Sequence, residues 1–242
     1  MLDALASALV ALSAGKTSAP PRIVAHAPGS GFMAAMVGYV PGAGLEAKLV
    51  SVFPQNHERG APSHQAVITL FDEADGTPLA LMDGSYITAM RTGGTAAVAA
   101  RALAREDATV LAILGAGVQG GSHLETFLRV RDFAEIRVAS RDAGKAAALA
   151  ARHSQAHVAT SFEAAVRGAD VVACCTDARE PILLAASGLR PASMSVPSAA
   201  PSDRSSMRTR SPAVASSSSG AEAPPTRLPS AHTNSRASIL TI

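Results

Sequence analysis

The stretch from Thr109 to Leu128, TVLAILGAGVQGGSHLETFL, constrains the fold more than any other. An apolar strand runs into Gly115-x-Gly117-x-x-Gly120 and then directly into a helix-like segment. In this arrangement the first glycine permits a tight turn, the second lets backbone approach a phosphate, and the third lets helix pack closely on strand. The free N–H groups at the helix start then face anionic oxygen. Gly115 and Gly117 are therefore expected to lie against a dinucleotide pyrophosphate. The context supports this reading, because a second strand, Glu135 to Ser140, follows about twenty residues on.

Around this motif, residues 105 to 191 alternate strand and helix: TVLAIL, GVQGGSHLETFLRV, EIRVAS, DAGKAAALAARHS, HVATS, SFEAAVRGA and DVVACCT. Such alternation implies right-handed crossovers and a parallel sheet, so the fold class is α/β with a Rossmann-like domain. Four strands are expected, where a complete doubly wound sheet has about six. Residues 192 to 242 do not promise the remainder. They are about a quarter serine, lack aromatic residues and show no apolar period until the last few positions. Two explanations stay open: a disordered tail, or a chain read out of frame after Pro191, since shifted frames of a GC-rich gene encode Ser, Arg, Pro and Ala. The Rossmann domain is thus expected to be incomplete, with a bare edge and an inactive product as the consequence.

Residues 1 to 104 have a different pattern and are expected to form a mixed α+β domain. A helix is predicted near residues 2 to 14, with strands at Arg22 to His26, Gly31 to Val40, Leu45 to Phe53, Ser63 to Phe71 and Pro78 to Asp83. Asp75-Gly76 marks a hairpin between the last two. From Ser85 a helix-like run contains Gly93-Gly94, a pair that weakens a helix by about 1 kcal/mol each and favours close packing.

Composition narrows the partners. The net charge is only +2 and 3% of residues are aromatic, which leaves neither a basic stripe nor a stacking platform for nucleic acid. No apolar run reaches the roughly eighteen residues of a membrane span. Cys174 and Cys175 are adjacent on a predicted strand, where an ordinary disulfide is geometrically excluded. A small-molecule partner and a reducing cytoplasm are expected, with no metal site.

Arg22, Lys48 and Arg91 each stand among apolar residues. They read either as snorkelling surface cations or as charges aimed into a cavity, with Lys48, between Ala47 and Leu49, the most suggestive. His64 reads as a proton shuttle or a hydrogen-bonded strand end, and Asp83 before Gly84 as turn chemistry. At the end of the second parallel strand, where an acidic residue would bind the adenosine ribose of NAD, the chain has Ser140-Arg141. An arginine there suits a 2′-phosphate, so NADP is expected, with NAD the alternative.

These motifs together resemble the ornithine cyclodeaminase/mu-crystallin family. The chain carries Pro62-Ser63-His64-Gln65, Leu70-Phe71-Asp72, Met82-Asp83-Gly84, Ile87-Thr88, Arg91-Thr92 and then Leu114 to Gln119 in the family's order. The resemblance covers about Leu2 through Pro191. It implies a homodimer whose first region binds substrate and contacts the partner subunit. It assigns Arg22, Lys48 and Arg91 to a substrate carboxylate, Lys48 to proton transfer at the reacting nitrogen, Thr88 and Thr92 to the neighbourhood of the cofactor, and Gly115, Gly117, Val118 and Gln119 to the pyrophosphate loop. The implied activity is hydride transfer between nicotinamide and the α-carbon of an amino acid or cyclic imine, as in a ketimine reductase. Ornithine cyclodeamination to proline is the alternative, and a non-catalytic ligand-binding role is another. Against the family pattern, an N-terminal strand and helix are expected to be missing. The cyclodeaminase aspartate would fall near Pro201, with Asp203 out of register.

Overall fold

A computed structural model describes residues 1–176, residue 178 and the strand at Met194–Pro197. The first lobe is an antiparallel meander, β1 (Ile23–Ala27), β2 (Gly31–Val40), β3 (Gly44–Val52), β4 (His64–Phe71) and β5 (Pro78–Asp83), in that spatial order, preceded by α1 (Leu2–Ser13). The expected strands are all present, with ends displaced by at most one residue. The Asp75-Gly76 hairpin forms as expected: Gly76 takes φ +74°, and Asp75 accepts the Thr77 N–H at 2.9 Å.

The two faces of this sheet differ. One cross-strand row runs Met36, Lys48, Ile68, Met82, and α2 (Gly84–Leu103) packs over that face along β4. The opposite face presents Ile23, Met33, Val37, Leu45, Leu49, Val67 and Leu81 to solvent, with Ile23 and Leu81 each 73% exposed. A contiguous apolar face of this kind marks a surface that another molecule covers.

Asp83 starts α2 by accepting the Ser85 N–H at 2.8 Å, which bears out the turn reading of this residue. Gly84 then sits so close to β4 that a β-carbon would lie 2.8 Å from Ala66 Cβ. Farther along, the glycine pair is used as its composition suggests. A β-carbon at Gly93 would lie 2.7 Å from the Ser122 carbonyl oxygen, and one at Gly94 would lie 2.7 Å from Leu5 Cδ1. So α2 touches β4 at its start, and α3 and α1 on its two flanks.

The second lobe is a parallel sheet of β6 (Val110–Leu114), β7 (Glu135–Ala139), β8 (Ala156–Val158), β9 (Val171–Cys174) and β10 (Met194–Pro197). Its order is β10-β9-β6-β7-β8, with α3 (Val118–Phe127), α4 (Ala143–Ala150) and α5 (Phe162–Val166) as crossovers. Leu111, Ile113, Ile136, Val138 and Val171 are fully buried, as continuous apolar runs in a two-sided sheet require. Asp170 ties the start of the sheet together, accepting from the Thr109 and Val110 N–H groups and from Arg105.

Two expectations are corrected. The strand expected at HVATS ends at Val158, because Ser161 turns to cap α5, its Oγ accepting the Ala164 N–H at 3.0 Å. The sheet was also expected to stop at four strands with a bare edge at β9. Instead β10 pairs with β9 in parallel, Met194 opposite Val171 through Pro197 opposite Cys174. Composition averages over a long window, whereas a four-residue strand needs only the unpaired N–H and C=O groups of a neighbouring edge. The rest of the segment after Pro191, with Pro201, Asp203 and the question of reading frame, lies outside the described residues. Among the described residues no helix is long and apolar enough to cross a membrane.

Gly93→Ala is expected to destabilise the protein by about 1–3 kcal/mol, the usual cost of overpacking, even though alanine is the better helix former. Urea unfolding measures it. A neutral or stabilising result would mean that the α2–α3 contact yields easily.

Candidate functional site

The structure brings three of the sequence-selected cations together. Lys48 is near the middle of β3, flanked across the sheet by Met36 and Ile68, and it is only 7% exposed. Arg91 comes from α2, and Arg22 immediately precedes β1, where strand alternation puts it on the same face. Burial pushes the Lys48 ammonium down to about 8, and the Arg91 and Arg22 charges add to the effect while Glu46 opposes it. Desolvation also lowers Arg91, again with Glu46 opposing and Arg22 assisting. Arg22 and Arg91 are both exposed, so the cluster stands at the surface with Lys48 alone buried.

Such a cluster suits a small carboxylate. Two guanidinium groups offer paired N–H donors of the right spacing. A lysine whose pKa lies near neutrality can both give and take a proton. Glu46 was overlooked in the sequence, although the signal was there: it stands two residues before Lys48 on a strand, hence on the same face.

The nucleotide elements collect at the carboxyl ends of the parallel strands, next to the switch between β6 and β9. Gly115 has φ +106°, and a β-carbon there would lie 2.5 Å from the Cys175 carbonyl oxygen. At Gly120 a β-carbon would collide with the Gly115 carbonyl oxygen. Gly117, which precedes α3, has open space where its β-carbon would be. Two of the glycines are thus demanded by the protein's own packing, and the third leaves room for something else. This geometry fits a bound pyrophosphate, with Val118, 76% exposed, and Gln119 opening the helix beside it.

Ser140 and Arg141 follow β7. Ser140 Oγ accepts the Asp142 N–H at 3.2 Å, and Asp142 in turn caps α4 by accepting the Lys145 N–H at 3.0 Å. That hydrogen bond, chiefly, holds the Asp142 carboxyl below its ordinary pKa. The acidic group nearest the strand end is therefore engaged with the helix, while Arg141 is exposed.

Thr88 and Thr92 lie one turn apart on α2, and each donates its hydroxyl to the carbonyl four residues back, Gly84 and Thr88 respectively. Their oxygens retain acceptor capacity. His64 sits at the exposed start of β4, with Ser63 Oγ 3.2 Å from its Nδ1. On α3, His123 is fully buried, its Nδ1 2.7 Å from the Gln119 carbonyl oxygen, its ring stacked on Phe127 and its Nε2 without a partner. Desolvation lowers its pKa, so it is a neutral core residue. The link between the two clusters is α2: Arg91 lies two residues from Gly93, which abuts α3.

A family model described as the ornithine cyclodeaminase/mu-crystallin family matches residues 1–204. Ketimine reductase mu-crystallin of Mus musculus is 39% identical over 163 residues, covering 66% of this chain and 52% of the mouse protein. Among solved structures, the Delta(1)-pyrroline-2-carboxylate reductase of Thermococcus litoralis, in complex with NADH and L-proline, superposes with a TM-score of 0.76 at 32% identity. That match covers 81% of this chain and 62% of the other. An archaeal alanine dehydrogenase, described as a dimer with bound NAD, gives 0.75 at 28% identity, covering 81% and 61%. The chain spans about half the length of the mouse relative.

Proposed function

Because the chain belongs to the ornithine cyclodeaminase/mu-crystallin family, we propose that it is an NAD(P)-dependent reductase acting on a small cyclic imine that carries a carboxylate. The observation that carries this reading is the buried Lys48 ammonium within reach of the Arg22 and Arg91 charges, linked through the helix that carries Arg91 to a dinucleotide-type glycine turn.

The nicotinamide, when bound, supplies a hydride to the imine carbon. The chain's own residues supply the rest. Arg22 and Arg91 hold the carboxylate and so orient the C=N bond. Lys48 lies on the same face and gives a proton from Nζ to the imine nitrogen as that nitrogen gains electron density. With a pKa of about 8 the lysine is largely charged at neutral pH, yet it releases its proton readily. In the reverse direction the neutral amine accepts the proton from the substrate. The covering helix and the apolar neighbours Met36 and Ile68 limit water around Lys48.

The reductive rate is expected to fall as pH rises through about 8, where the ammonium is lost, and the oxidative rate is expected to rise over the same interval. Lys48→Met lowers the reductive rate at least about 100-fold with cofactor affinity retained. Steady-state turnover on a panel of pyrroline and piperideine carboxylates, with fluorescence titration of the cofactor, measures both. Near-normal turnover by the variant on any accepted imine removes Lys48 from the chemistry.

NADPH is the preferred cofactor in this reading. Arg141 is exposed where a 2′-phosphate would sit, Ser140 assists, and Asp142 is occupied by α4. The pyrroline-carboxylate reductase and the alanine dehydrogenase are complexes with NADH and NAD, so the preference rests on Arg141 alone. Arg141→Ala is expected to weaken NADPH by about tenfold, the loss of one charge-assisted pairing, and to leave NADH unchanged. Tighter binding of NADH by the unaltered protein sinks the assignment.

The exposed apolar face of the meander is the surface on which a second copy docks, in keeping with the dimeric alanine dehydrogenase. Light scattering is expected to give about twice 24.4 kDa, and Leu49→Asp to halve it. A monomer at micromolar concentration before any substitution would refute the dimer.

A further inference from the structure

Glu46 is the one charged side chain close to Lys48 along β3 whose sign is opposite. Its cross-strand partners are Gly38 on β2 and Leu70 on β4. Gly38 gives it room: Glu46 Cγ and Oε1 both lie 3.6 Å from where a Gly38 β-carbon would stand, with the Ser18 carbonyl oxygen 3.8 Å from the same point. The exposed carboxylate therefore lies over Gly38.

The groups facing Lys48 come from several elements. Met36 on β2 and Ile68 on β4 are uncharged, Arg91 on α2 and Arg22 ahead of β1 are positive, and His64 stands at the far end of the same face of β4, opposite Val52. Glu46 opposes both arginines in their action on Lys48 and also acts on Arg91. Among the described residues no salt bridge joins Glu46 to Lys48 or Arg91. The carboxylate acts through space and leaves the donors of all three cations available to a ligand.

We propose that Glu46 is a positioning residue for the reaction: it holds the Lys48 side chain in its ammonium form against the two arginines and so fixes the charge state in which the site meets its ligand. Three cations whose charges act on one another repel, and the one with the most labile proton gives way first. A carboxylate two residues along the same strand and on the same face offsets that repulsion without occupying the ligand's place. The step it serves is the proton transfer assigned to Lys48 above, so this inference rests on that reading.

The test uses the full chain labelled with 13Cε-lysine. Only Lys16, Lys48 and Lys145 contribute signals, and Lys48→Met identifies the one of interest. The Lys48 resonance is expected to titrate near 8 in the unaltered protein. In Glu46→Gln its midpoint falls by about one unit, and in Glu46→Asp, which keeps the charge, it stays close to the original. Coincident titrations of the unaltered protein and Glu46→Gln overturn the inference. So does an equal displacement in Glu46→Asp, which would report a change of packing instead of charge. The alkaline limb of imine reduction is followed in the same proteins. If the resonance moves while the limb stays, Glu46 still sets the charge of Lys48, but proton transfer by Lys48 is overturned and with it the place of Glu46 in the reaction; if neither moves, it is the effect of Glu46 on Lys48 that fails.

Discussion

The contact of α2 with α3 at Gly93 is the joint on which the arrangement depends. With no β-carbon, Gly93 lets the Ser122 backbone approach to a distance at which any other residue would have to displace it. The same helix is seated on β4 at Gly84 and against α1 at Gly94. Three small residues on one helix thus lock a strand of the first lobe, a helix of the second and the N-terminal helix into one body. Since Arg91 is carried on that helix, the register of this joint also sets how the cation cluster faces the glycine turn.

The cluster is unfavourable in isolation. An ammonium flanked by methionine and isoleucine loses hydration, and two guanidinium groups nearby add repulsion. In the function proposed above, a carboxylate ligand would restore the lost solvation and relieve the repulsion in one step. Glu46 moderates the same field from within the protein.

The second lobe shows how little sequence a strand needs when its partner is already in place. Met194–Pro197 lies in a region whose composition reads as unable to fold, yet it extends the sheet beside β9. The edge supplies the hydrogen bonds, and Pro197, which has no N–H, falls on the outer strand of the described sheet, where a ladder tolerates it.

Sequence by itself determined the local structure and the chemistry types. Alternating apolar positions placed the meander strands to within a residue. The Gly115, Gly117, Gly120 spacing after a strand specified the turn, and the ordered motifs from Pro62 to Gln119 specified the family. These are properties of neighbouring residues, and a period or a spacing records them directly. What Arg22, Lys48 and Arg91 do was open, because a cation among apolar residues reads equally as a snorkelling surface chain. The tertiary structure adds what no window shows: it buries Lys48 and brings the charges of Arg22 and Arg91, far apart in sequence, to bear on it. The tertiary structure also gave Glu46 its part, turned Asp142 toward α4, and supplied β9 as the template for β10. Each depends on a through-space neighbour that no window of sequence contains.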